Sequence, residues 1–478
     1  TIFFINFYLT FIAYKMLREE KFSATEIVVF LANSFIYFAI GYATLKSHGT
    51  GKDFLGLFTL GNGLAHAAVA YAVYQKRMVD KNLVRLLQGL VLLFVTLAVP
   101  VQLNGNWVTL LWAGEAVVLL WVGKKGDEPF YIRLAYPLAI LAFVSIIHDW
   151  GNYLSTIYKQ ENTLTPFLNI QFFSSILLTS ALGTLLWLFM KIRHSMKNEL
   201  DKIFTYLLPA FTLIATFFTF RVELVALLHN LYPMVQDEQF QVQNSFGTNL
   251  RFRELWLLNY TMLFVSAAIA ITRKRSTSLV LTSTFLIIAF LASLNFLVSG
   301  LYGLSELRDS SMRATAFIAT PYLLRYITIL LYATMLHHFF HQIREHSSFV
   351  KLREAAELFV ALSALWVLSS ELINWLSLMS YSSSYKIGLS ILCGLFAFIL
   401  IGIGMWKRKR HLRIGAIVLF SITLLKLFLY DISHLTPIAK TVVLLALGVL
   451  LLMVSFFYHK YRITIFGPDH EVQSEEDQ

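Results

Sequence analysis

The feature that most constrains this chain is a succession of apolar runs, each about 20 residues long, separated by short polar breaks. A helix rising 1.5 Å per residue needs about 20 such residues to cross roughly 30 Å of hydrocarbon. That template predicts about 15 spans along the sequence. They fall at 1–16, 26–45, 53–75, 84–104, 107–123, 130–149, 167–192, 203–229, 254–272, 277–300, 314–340, 352–377, 386–406, 411–431 and 437–459. Barrel strands would instead alternate every second residue, and these Leu- and Phe-rich runs do not. The fold class is all-α, a polytopic transmembrane helix bundle. Composition agrees, since 14% charged residues is little more than half the usual share of a soluble domain, about 25%.

The formal net charge of +11 raises the question of nucleic acid. The cations sit in short clusters between apolar runs, as in a protein holding its orientation in a bilayer, so no nucleic-acid partner is expected. Alternate loops carry Lys76, Arg77, Lys81, Arg85; Lys124, Lys125, Arg133; Lys191, Arg193, Lys197, Lys202; Arg273, Lys274, Arg275; Arg344, Lys351, Arg353; and Lys407 to Arg410 with Arg413. The loops between them hold Lys159, Arg251, Arg253, Arg308, Arg313 and Lys386. This contrast of about 22 to about 6 places the rich side, and the C-terminus, in the cytoplasm. Thr1 to Met16 already reads as lipid-facing sequence with no signal-peptide pattern, so an upstream portion is expected to be missing.

An internal repeat is also expected. Arg85 to Trp107 aligns without a gap to Arg353 to Trp375, matching Leu90/Leu358, Leu97/Leu365, Val99/Val367 and Asn106-Trp107/Asn374-Trp375. Arg133 through Asp149 resembles Arg413 through Asp431 more loosely. The sequence thus divides into three spans over 1–75, possible parallel four-helix units at 84–192, 203–340 and 352–460, and a cytoplasmic acidic tail at 463–478.

Ionisable groups inside spans cost about 2.5–3.5 kcal/mol on insertion scales, so each needs a partner or a wet cavity. Most of them fall at mid-depth or in the outer half. They predict a polar cavity open to the extracytoplasmic side, lined by Glu115, Arg325, Glu371, Lys426, Asn104, Asp149, Asp431 and Glu223, with Glu115 and Arg325 deepest. At least one carboxylate is expected within hydrogen-bonding reach of Arg325 or Lys426. The competing account is separate ion pairs and interfacial groups; it suits Asp149, Glu254 and Asp431, where water would reach helix ends. Trp107, Trp150, Trp256 and Trp375 are expected to mark the outer interface and Trp406 the inner one. His337 and His341 share a helical face, but no acidic or Cys partner is read nearby, and no metal site or other cofactor is expected. The single cysteine, Cys393, allows no intrachain disulfide.

Absent are a phosphate-binding G-x-x-x-x-G-K-[ST] loop, H-E-x-x-H and G-x-S-x-G, so the chain alone is not expected to drive transport with ATP. Three classes stay open. The first is a transporter or lipid/glycan-handling protein with an outward-facing cavity. The second is a membrane-embedded transferase using Asp149 or Glu115 as base on a lipid-linked envelope precursor. The third is a non-catalytic scaffold of an envelope complex. Membrane lipids, and an envelope lipid or glycan, are the expected partners.

The stretch from Leu93 through Gln102, Asn104-Gly105-Asn106-Trp107 and Glu115 to Gly123, with Arg413-Ile-Gly through Lys426 to Asp431 and Val442 to Tyr461, resembles a bacterial family of multipass membrane proteins. That family is catalogued as domain of unknown function 2339. The resemblance implies a bacterial cytoplasmic-membrane protein, usually longer at its N-terminus, with no assigned activity. The family's recurring polar positions map onto Gln102, Asn104, Trp107, Glu115, Lys426 and Asp431.

Overall fold

A computed structural model describes residues 2–426 except 8–9, 11–22, 76–80, 104, 160–164, 193–197, 234–242, 276–278, 314–318 and 380–384; beyond 426 it describes isolated positions up to 452. The described residues form α1 (Ala24–Ser47), α2 (Leu55–Gln75), α3 (Lys81–Gln102), α4 (Asn106–Gly126), α5 (Pro129–Lys159), α6 (Ile170–Ile192) and α7 (Glu199–Leu231). These are followed by α8 (Gln243–Arg275), α9 (Leu279–Asn295), α10 (Leu301–Arg313), α11 (Thr320–Glu345), α12 (Arg353–Leu378), α13 (Tyr385–Trp406) and α14 (Arg410–Lys426). No strand occurs among them. Twelve spans among the described residues are long and apolar enough to cross a membrane, and they coincide with the twelve predicted from 26–45 to 386–406. The predicted spans 1–16 and 437–459 lie largely outside the described residues, as does the end of 411–431.

Several helices outrun their predicted spans. α5 continues from 149 to Lys159, α8 begins at Gln243 rather than near 254, and α9 passes through a π-helical turn, Phe296–Gly300, straight into α10. A hydropathy template sees only the hydrocarbon-crossing part, whereas backbone hydrogen bonding carries a helix on into polar sequence. The outward faces are apolar: Ile391, Leu395 and Ile399 of α13 recur every fourth residue and are 61%, 52% and 49% exposed. Such a surface suits lipid.

The chain forms two compact units, Thr1–Asn230 and Leu231–Gln478. In the first, Ala113, Ala116, Ala139 and Ala142 are all but fully buried where α4 meets α5, since small side chains let helix backbones approach. α5 and α7 are joined by three stacked aromatic pairs, Tyr136/Phe204, Phe143/Phe211 and Trp150/Phe218. Both sets recur every seventh residue in the same order, so the two helices run parallel with one face turned to each other. Trp150 is therefore a core residue, 4% exposed and bonded to Ser175, not the interfacial anchor predicted.

In the second unit, α8 packs on α9, α10 and α11, and α12 packs on α10 and α11. Phe296 in the π turn stacks on Tyr332 of α11. α13 and α14 form a tight antiparallel hairpin, as α4 and α5 do in the first unit. Each hairpin turn ends its first helix on a residue with positive φ, Asp127 (52°) and Arg408 (53°).

Candidate functional site

The cation-poor ends of the helices are those at which α3, α5, α7, α10 and α12 finish. Asp149 lies 20 residues into α5, about 30 Å along it, near that end. It is 5% exposed, and water at a helix end does not satisfy it, contrary to the interfacial account. Thr109 Oγ1 donates to its Oδ2 at 2.7 Å, and Ser145 Oγ lies 2.6 Å from Thr109 Oγ1. With Thr109's one proton committed to the carboxylate, Ser145 must donate in turn. Glu115, half-buried on α4, accepts from Thr96 Oγ1 at 2.8 Å, while Trp112 Nε1 donates to the Thr96 carbonyl.

Glu223 of α7 is 1% exposed. Its Oε2 accepts from Phe167 N at 2.8 Å and Asn169 Nδ2 at 2.9 Å, and Asn169 Oδ1 accepts from Phe172 N at the start of α6. Phe167 has a φ of 63°, so this carboxylate pins a strained turn at the entry to α6. Its Oε1 is buried without a hydrogen-bond partner.

The densest polar group lies in the second unit. Arg325, the sixth residue of α11, is 1% exposed, and its Nε donates to Glu371 Oε1 at 2.6 Å. Its Nη2 donates to the Ser370 carbonyl at 3.0 Å and to Ser370 Oγ at 2.8 Å. The pair thus sits about 8–10 Å from the helix ends rather than at the deepest point. Arg308 of α10, read from sequence as a loop cation, is 6% exposed and bonds Asp309 Oδ1 at 2.7 Å. It lies within electrostatic reach of Arg325. Nη1 of both arginines is buried without a partner, as are both amide atoms of Asn259 on α8 and of Asn374, one turn beyond Glu371. Unpartnered buried polar atoms are uncommon in native proteins, and clusters of them mark places for water or a ligand. The π turn lies in the same helix group, and such turns are frequent at functional sites.

Around this group, Arg251 bridges Glu254 and Glu306, each at 2.7 Å, and Arg253 clamps the Tyr232 carbonyl. Lys426 ends α14, and its Nζ reaches Ser390 Oγ at 3.0 Å. Asn104 and Asp431 lie outside the described residues. His341 Nδ1 is 3.3 Å from Glu345, the acidic neighbour one turn away that the sequence reading overlooked. Arg308 was legible in principle: Leu301, Leu304 and Leu307 are at most 4% exposed, and their helical spacing puts Arg308 on the same inward face.

Fold and polar groups together define a polytopic α-helical membrane protein whose helices carry buried charged groups, Asp149, Glu223, Arg308 and Arg325 among them. The family model for predicted membrane proteins catalogued as domain of unknown function 2339 matches residues 1–461, and the chain belongs to that family. No curated protein and no solved structure matches it.

Proposed function

We propose that this chain is a bacterial cytoplasmic-membrane transporter or lipid/glycan-handling protein. In this reading it admits an anionic solute or headgroup into α8–α12 from the extracytoplasmic side. The observation that carries the reading is the pair of buried guanidiniums, Arg325 and Arg308, each with a terminal nitrogen left unpartnered. Taking such a cation out of water costs several kcal/mol, and a scaffold gains nothing from leaving its donors unmatched. A planar guanidinium with free N–H groups recognises carboxylate and phosphate. The transferase reading would take Glu115 or Asp149 as base, each with one oxygen accepting from a threonine hydroxyl, but it gives no role to the unmatched guanidinium donors.

The test uses the single native cysteine to advantage. In a Cys393→Ser background, Ser370→Cys is exposed on intact cells to anionic and cationic water-soluble methanethiosulfonates. The expected result is modification from outside, faster with the anionic reagent and slowed by inorganic phosphate. Arg408→Cys should react only after permeabilisation. No reaction at position 370 would make the pair a closed structural bridge and favour the scaffold, and reaction at 408 from outside would invert the orientation.

A further inference from the structure

A second feature lies in the first unit, at the cation-rich ends of its own helices. α1, α3 and α5 line an open apolar groove of about 480 Å³. Ile27, Leu31 and Phe35 form one wall at four-residue spacing, Leu86, Leu90 and Leu93 the second, and Phe130 with Leu134 the third. Gly89 forms the floor; a Cβ added there would meet only Phe130 Cζ, at 4.0 Å. The groove owes its depth to that missing side chain.

Its two ends differ in chemistry. Ile27, Arg85 and Phe130 belong to the first turn or so of their helices, so all three helices begin at the same end of the groove. Helix starts carry partial positive charge. Arg85 lines the groove there, is exposed, and has no carboxylate partner among the described residues. The acidic groups nearby are Glu26, whose carboxylate accepts from Ser23 N at 2.7 Å, and Asp127 and Glu128 of the hairpin turn. Beside them in sequence are Lys124, whose Nζ lies over the Trp187 ring, Lys125, over the Trp121 ring, and Arg133. From Ile27 to Phe35, and from Leu86 to Leu93, the walls run inward for about 11–12 Å with no further charged residue.

We propose that this groove is a binding site for one anionic phospholipid, its phosphate on Arg85 at the shared helix starts and an acyl chain along Leu31, Phe35, Leu90 and Leu93. Lipid tails would wet any apolar surface of the protein. What distinguishes this site is a recess joined to an unpaired cation, which selects on headgroup charge as well as on fit.

Native mass spectrometry of the whole chain in detergent, with added phosphatidylglycerol or phosphatidylcholine, tests it. One phosphatidylglycerol should remain bound, about fivefold tighter than phosphatidylcholine, the factor expected for one cation near a headgroup. Arg85→Gln should remove that preference, while Lys351→Gln should leave it unchanged. Gly89→Leu should expel both lipids, with its elution and melting profile showing that it still folds. Equal retention of both lipids by the native chain, a preference that survives Arg85→Gln, or full retention in a folded Gly89→Leu protein would each overturn the proposal.

Discussion

Neutralising one partner of the Arg325–Glu371 bridge should be costly, and replacing both should not. Arg325 is 1% exposed and spends three hydrogen bonds on Glu371 and Ser370, while the Glu371 side chain is 19% exposed. Glu371→Met leaves a buried guanidinium without its counter-charge and its Nε without an acceptor, a loss of about 3–5 kcal/mol. Arg325→Met removes the cation and strands Glu371; because that carboxylate retains some access to solvent, the loss should lie near the lower end of the same range. Arg325→Met/Glu371→Met removes both desolvation penalties and fills the space with flexible apolar side chains, so it should fall within about 1 kcal/mol of the native protein. The assay is reversible unfolding from mixed micelles by SDS, followed by tryptophan fluorescence for all four proteins. Non-additivity of about 5 kcal/mol or more is expected, and single losses that add to within about 0.5 kcal/mol would refute the reasoning. The cycle also separates stability from function, since a stable double variant that no longer favours the anionic reagent at position 370 ties these two side chains to recognition.

Two smaller perturbations should behave predictably in the same assay. Thr109→Val leaves Asp149 buried without its donor and should cost about 1–3 kcal/mol, whereas Thr109→Ser should restore most of the loss. Asp127→Gly and Arg408→Gly each relieve a left-handed residue at a hairpin turn and should each stabilise by about 1 kcal/mol; a loss in either would show that the replaced side chain contributes more than the strain costs.

The spans were legible because the bilayer demands a minimum apolar length, and every predicted span from 26–45 to 386–406 has its helix. Their ends were less legible. The polar extensions of α5, α8 and α10 give no hydropathy signal, and this placed Asp149 at a wet helix end and Arg308 in a loop. The closeness of Arg325 to Glu371 followed from economy, because a buried cation and a buried anion cost less together. That argument could not say which carboxylate would be used, and it gave no sign that Lys426 would turn to Ser390. The Tyr136, Phe143, Trp150 ladder was written in the sequence at heptad spacing, but its facing residues are more than 60 positions away, and no local pattern links the two.

The helical hairpins bear on the proposed duplication more closely than sequence identity does. In one, Glu128 N donates to the Gly123 carbonyl at 2.9 Å; in the other, Lys409 N donates to the Gly404 carbonyl at 2.9 Å. In both, the left-handed residue is four positions after the glycine, and a Cβ on the glycine would strike the residue nine positions on, Ile132 or Arg413. The glycine is thus required by the same close approach of the returning helix. The preceding helices extend the correspondence: the register that pairs Arg85 with Arg353 pairs Gly89 with Glu357, and the hairpin register pairs Phe130 with His411. Glu357 meets Lys409 and bonds His411 Nε2 at 2.8 Å, closing that corner with charge. Gly89 and Phe130 leave the same corner apolar and open beside Arg85. On the duplication reading, one scaffold has diverged to different ends at a single contact: a sealed ionic latch in one copy, and in the other a recess shaped for a lipid.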